Sequence, residues 1–154
     1  MSKENPLKRH VAIQPLSREH HHSLLLSWKI RRGFSRNVEP ERIKKYVDWF
    51  FKNHIEKHFQ IEEKYVFPVL GPNNELVRMA LADHRRLVRL FTEEEDIPKA
   101  LSLIEEELQK HIRFEERVLF PEIQKVASPA DYHTIEKHHR EESFEENTSD
   151  EFWN

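Results

Sequence analysis

At 154 residues the chain is about one domain long, enough for a single hydrophobic core, and the absence of cysteine excludes disulfides, thiolate zinc sites, iron–sulfur clusters and cysteine nucleophiles. The net charge of −3, with both signs interspersed, argues against a nucleic-acid partner, which needs a concentrated basic face. Only two glycines favour long helices, and eleven histidines are the unusual feature.

Residues 1–15 carry Lys3, Lys8 and Arg9 but no apolar run that could act as a signal region or membrane span. We read them as an irregular N-terminal segment of a soluble, cytoplasmic protein that makes no membrane contact. Ser17 can cap a first helix that runs through Trp28 to Arg32 and stops at Gly33. Pro40 suits the first turn of a second helix, in which Ile43, Val47, Phe50, Phe51, Ile55, Phe59 and Ile61 recur at helical spacing as far as Phe67-Pro68, before Gly71-Pro72. Asn74 can cap a third helix with Leu76, Met79, Leu81, Leu87, Val88 and Phe91, and the acidic run Glu93 to Asp96 reads as a loop. Pro98 opens a fourth helix with Leu101, Ile104, Leu108, Ile112, Val118 and Leu119. Ser128-Pro129-Ala130-Asp131 resembles a capped start for a short fifth helix, and beyond Glu141 the composition predicts a frayed acidic tail.

Helices joined by short loops predict an all-α fold, an up-down-up-down antiparallel four-helix bundle over residues 16–127, with residues 128–154 as a C-terminal helix and acidic tail. Core-facing side chains of four such helices meet in the middle.

The sequence carries an internal echo. His58-Phe59-Gln60-Ile61-Glu62-Glu63 leads to Phe67-Pro68, and His111-Ile112-Arg113-Phe114-Glu115-Glu116 leads to Phe120-Pro121 at identical offsets. Residues four apart share a helix face, so His58 with Glu62, and His111 with Glu115, each present a nitrogen and a carboxylate together. Apolar stripes place these pairs inward: Ile104, Leu108, His111, Glu115 and Val118 on one helix, Ile55, His58, Glu62 and Leu70 on the other. Burying such groups without partners costs several kcal/mol for each charge, and a cation between them removes that cost. One His-x-x-x-Glu is usually an ordinary surface pair; two matching copies reverse that preference.

The other helices offer further donors. His84 lies in the stripe Leu81, Leu87, Val88 and Phe91. On helix one His21 matches that pattern through Leu24, Leu25 and Trp28 and is preferred, whereas His20 follows an acidic residue as His84 follows Asp83. Glu63 and Glu116 read as solvated groups or as hydrogen-bond partners of ligand histidines. Trp28, Trp49, Phe50, Phe51 and Phe114 read as core filling, and His133, His138 and His139 as a solvated run without a site role.

On Glu19-His20-His21, His58…Glu62-Glu63…Phe67-Pro68, Asp83-His84 and His111…Glu115-Glu116…Phe120-Pro121, the chain resembles the hemerythrin-like, or HHE cation-binding, family from about Leu16 to Gln124. The resemblance implies a di-iron centre in which Glu62 and Glu115 bridge two irons while His58, His84, His111 and a helix-one histidine cap them. It departs from the oxygen-carrying members, which have two histidines four apart on helix three, where this chain has Ala80, and whose last carboxylate spacing would select Glu116 instead of Glu115. His54, one turn before His58, could substitute for the missing histidine.

Nitrogen and oxygen donors suit iron or manganese, with zinc as a further candidate, and the resemblance implies two iron ions. The expected function is a non-haem dinuclear metal protein that binds or senses oxygen, nitric oxide or iron, with a diatomic ligand as partner, as a monomer or homodimer. The alternative is a metal-stabilised regulatory or interaction module without redox turnover. A hydrolytic enzyme is disfavoured, because there is no His-Glu-x-x-His helix.

Overall fold

The structure, a computed structural model, describes residues 8–139 and 143–154. The first seven residues of the expected irregular segment therefore lie outside the described residues. Among the described residues all regular structure is helical: α1 (Gln14–Ser35), α2 (Pro40–Phe50), α3 (Glu56–Ile61), α4 (Glu75–Phe91), α5 (Ile97–Phe114), α6 (Phe120–Val126) and α7 (Pro129–His138). π-helical turns over Phe51–Ile55 and Glu62–Val66 weld α2 to α3 and to a 3₁₀ turn at Phe67–Leu70, and a third over Glu115–Leu119 joins α5 to α6.

Helix boundaries follow local chemistry. Asn74 accepts from the Val77 amide, Asp96 from the Lys99 amide, and Ser128 with Asp131 forms a reciprocal capping box. Pro15, Pro40, Pro98 and Pro129 sit in first turns, where a missing N–H costs nothing. Helix one departs from expectation at both ends. It begins at Gln14, ahead of Ser17, and it passes through Gly33 to end at Ser35. Its stop is Asn37, in the left-handed region at φ 59°; the Val38 amide bonds the Gly33 carbonyl and the Asn37 amide that of Phe34, which closes the end. Gly33 serves a different need, close approach: a Cβ there would lie 2.7 Å from Ile43 Cδ1 and 2.9 Å from a Phe152 ring carbon.

α1 and α4 both pack on α5, and α2 packs on α1 and α5. The interior holds two apolar clusters. One gathers Leu26, Ile30, Phe50, Phe59, Leu87, Leu108 and their neighbours; the other gathers Leu16, Val66, Phe67, Ala80, Leu119 and Phe120. Between them along each helix lies a layer of buried histidine and glutamate: His20 follows Leu16, Glu62 precedes Val66, His84 follows Ala80 and Glu115 precedes Leu119.

The C-terminal residues are not frayed. Phe152 and Trp153 are buried in the first cluster and Phe144 packs against it. Glu146 reaches the buried Lys29 ammonium, which also bonds the Tyr46 hydroxyl at 2.9 Å and lies 4.3 Å over the Trp153 ring. Acidic composition predicted solvation, but three aromatic side chains and a buried cation outweigh it. Trp28, read as core, is 42 % exposed instead, as are Leu24 and Leu25 to a similar degree, so this stripe faces solvent.

Candidate metal centre

Four elements deliver the buried polar layer. α1 places His20, α3 and its following π turn place His58 and Glu62, α4 places His84, and α5 with its π turn places His111 and Glu115. Both inner glutamates open a π turn, and both turns are followed by a proline. Pro68 and Pro121 cannot donate to the carbonyls of Lys64 and Arg117, four residues back, and a wider turn relieves the clash. The wider turn also moves the inward face by a residue, so Leu119 is buried where Val118 was expected, and Val118 is exposed.

The six side chains form two quartets, His20, His58, Glu62 and Glu115, and Glu62, His84, His111 and Glu115, each with one donor atom per residue within 4.8 Å of the others. Glu62 and Glu115 belong to both. In the first, His20 Nε2 lies 2.9 Å from Glu115 Oε1, and His58 Nε2 lies 3.1 Å from Glu62 Oε2 and 3.1 Å from His20 Nε2. In the second, His84 Nε2 lies 3.1 Å from Glu62 Oε1, and His111 Nε2 lies 3.0 Å from Glu115 Oε2 and 3.1 Å from His84 Nε2. Bonds of ~2.1 Å to one cation place adjacent donors roughly 3 Å apart, so these spacings fit those of neighbouring donors around a cation. All four glutamate oxygens are buried without an aligned hydrogen-bond donor. Such oxygens are costly in an apolar interior unless a cation takes the donor's place.

Every Nε2 faces inward because every Nδ1 is held from outside by an acid. Glu19 Oε1 takes His58 Nδ1 at 2.7 Å, Glu63 takes His84 at 2.7 Å, Asp83 takes His111 at 3.0 Å and Glu116 takes His20 at 2.6 Å. An acid on Nδ1 sets the tautomer that leaves the Nε2 lone pair for a metal. The whole echo is thereby explained. Its histidine and first glutamate point inward, while its second glutamate and its phenylalanine hold the histidine of another helix. Phe67 lies 5.4 Å from His84, and Phe120 lies parallel to His20 at 5.5 Å.

His21 is corrected: it is exposed and points away from the layer, while His20 is buried within it. The apolar stripe that favoured His21, through Leu24, Leu25 and Trp28, lies on the solvent face. The usable signal was the acid before His20, shared with Asp83-His84, because that acid serves the histidine of a neighbouring helix. His54 lies in neither quartet and packs against Trp49, Phe50 and Phe144. Ala80 is buried in the apolar cluster, as is Leu16 at the matching position of α1. His139 is also corrected: it is buried, with Nε2 3.0 Å from Glu19 Oε2.

Burial opposes the charged form of each layer histidine, but the carboxylates outweigh it. Glu115, Glu116 and Glu62 hold His20 well above the ordinary imidazole range, and Glu62 with Glu19 lifts His58 to about 9. Glu115, Glu62 and Glu63 raise His84 to about 11, and Glu115 with Asp83 raises His111. Burial pushes Glu115 up, yet His111, His20 and His84 bring it well below the carboxylate range. Without metal, protons on the imidazoles offset part of the charge of the surrounding carboxylates, and cations bound there would displace them.

A histidine whose folded pKa is raised stabilises fully below its unfolded value of 6.5 and loses that contribution as pH rises through the folded value. The melting temperature of the chelator-treated protein is therefore expected to fall as pH rises from 6.5 through about 9, where His58 titrates. Cation affinity is expected to rise over the same interval, because fewer protons must leave. Melting curves and metal titrations at stepped pH check both; a metal-free protein that gains stability over this range contradicts the charge pairing.

A cavity of about 350 Å³ reaches the ring of His58 and Glu19, walled by His22, Trp49, His54 and Phe144. It brings solvent-side space to the edge of the buried layer.

The fold and the layer together define a helical cation-binding protein. The family model described as the hemerythrin HHE cation-binding domain matches residues 11–99 and again 81–151, and the chain belongs to that family. The two matches fall on the two halves of the echo. No curated protein and no solved structure matches the chain. Among the described residues no helix is long and apolar enough to cross a membrane.

Proposed function

We propose that this chain is a cytoplasmic, non-haem dinuclear iron protein that binds a diatomic ligand, oxygen or nitric oxide, in a sensing or stress-response role. The observation that carries it is the pair of quartets sharing Glu62 and Glu115, each with two imidazoles and two carboxylates. Imidazole and carboxylate donors without thiolate favour iron or manganese, with zinc as a competitor. The four helices are read as running up-down-up-down, supported by contacts in which one partner's number rises as the other's falls: His20 meets Glu116 and Arg31 meets Glu105, while Phe51 meets Phe91 and Glu63 meets His84.

Bound ferrous iron would supply electrons and an open coordination position for a diatomic ligand. The chain's own contribution is to hold four imidazoles with their Nε2 atoms inward, to share two carboxylates between the halves, and to surround the layer with Phe59, Phe67 and Phe120, which keep bulk water out. Phe59 stacks flat on His84 with ring centres 3.7 Å apart. The cavity at His58 offers small ligands an approach.

Anaerobic loading with ferrous iron tests the reading. Two irons per chain and a new visible absorption on adding oxygen or nitric oxide are expected. Two bound ions with no spectral response, and a melting temperature that falls on chelation, would favour a metal that only ties the helices together. No bound metal would sink both.

A further inference from the structure

The two halves of the layer are related by sequence but not by their surroundings. Glu19 precedes His20 as Asp83 precedes His84, and each acid holds a histidine of a later helix, His58 on α3 or His111 on α5. The side chain of Asp83 is 45 % exposed and that of Glu19 only 31 %. The difference comes from His139, the residue just after α7. It is buried, with Nε2 3.0 Å from Glu19 Oε2 as an ion-pair contact without hydrogen-bond alignment, so Glu19 has an imidazole close to each oxygen. The other outer acid of the same half, Glu116, receives Arg9 from the N-terminal side at 3.3 Å and is 28 % exposed, against 43 % for its counterpart Glu63. Chain segments flanking the echo thus cover the outer acids of the His20–His58 half.

We propose that His139 is a positioning residue for the His20–His58 half-site: by holding Glu19 it fixes His58, and it makes this half retain its cation longer than the His84–His111 half. The inference rests on the dinuclear reading above. Its physical content is that a carboxylate free to swing orients an imidazole poorly, whereas one with a buried imidazole against its second oxygen has less room to swing and keeps the Nε2 lone pair aimed. A group that orients a ligand from outside is worth on the order of 10- to 100-fold in metal affinity.

The test uses the full chain loaded with cobalt(II), whose visible absorption reports coordination, and follows release into excess chelator. Wild type is expected to release its ions in two phases. His139→Ala should accelerate the slow phase by about tenfold or more and leave the fast phase unchanged. His139→Gln, which keeps a donor for Glu19, should restore much of the slow release. Asp83→Asn should accelerate the fast phase alone. Circular dichroism of each metal-free variant separates loss of fold from loss of positioning. The inference is overturned by a single release phase in wild type, by equal acceleration of both phases in His139→Ala, or by wild-type rates in both His139 variants. Wild-type protein that binds no cobalt would instead overturn the dinuclear reading on which the inference stands.

Discussion

Replacing both Glu62 and Glu115 by glutamine is expected to abolish cation binding in both half-sites, while replacing His58 or His111 by alanine weakens chiefly one. The asymmetry follows from the geometry, since each glutamate belongs to both quartets and each histidine to only one. An amide keeps the shape of the carboxylate but carries no charge, so each cation loses two anionic donors at once. Loss of a group that merely orients a ligand costs roughly 10- to 100-fold in affinity, and loss of two direct donors should exceed that in each half. Metal content after anaerobic ferrous loading and dialysis measures it: near two per chain for wild type, none for the double glutamine variant. A double variant that still holds two ions would show that the cations sit elsewhere. The metal-free variant should still be helical, because the side-chain oxygens of Glu62 and Glu115 bond no backbone group and the two apolar clusters on either side of the layer are untouched.

The second large effect is expected at the C-terminus. Trp153→Ala should destabilise the protein by about 3–5 kcal/mol, the usual cost of emptying a buried aromatic site. For a chain of this size that corresponds to a melting temperature lower by roughly 6–20 °C. Two interactions are lost together: Trp153 packs edge-on against Tyr46 with ring centres 4.9 Å apart and lies beneath the buried Lys29 ammonium. Lys29 depends further on Glu146, so Glu146→Ala should also destabilise, by leaving a buried charge with the Tyr46 hydroxyl as its remaining close polar partner among the described residues. Thermal unfolding followed by circular dichroism checks both. A Trp153→Ala protein melting within a degree of wild type would mean that the last residues contribute nothing to the fold.

Much of this centre is legible in sequence because it is local. The four-residue spacing within His58…Glu62 and His111…Glu115 puts each pair on one helix face whatever the rest of the chain does, and repetition at matching offsets raises it above chance. Caps are local for the same reason: Asn74, Asp96 and Ser128 each bond an amide three residues ahead. The expected end of α1 failed on a subtler point. Gly33 is a common helix stop, but here it is spent on letting Ile43 and Phe152 approach the backbone, and Asn37 supplies the left-handed residue. The acidic tail was misread because composition averages over residues, while burial is decided by a few. Phe144 packs on Trp49 and Phe50, and Phe152 and Trp153 on Tyr46, an apolar surface far back in the chain.

By itself the sequence determined the helices, the two inward-facing pairs and the ligand chemistry, since each depends on bonds and spacings within a few turns. Only the tertiary structure decided that His20 and not His21 joins the layer, that Glu63 serves His84 and Glu116 serves His20, and that His139 closes on Glu19. Those outcomes depend on how helices are rotated against one another. An apolar stripe such as Leu24, Leu25 and Trp28 cannot report that rotation, because it looks the same in sequence whether it faces a neighbouring helix or water.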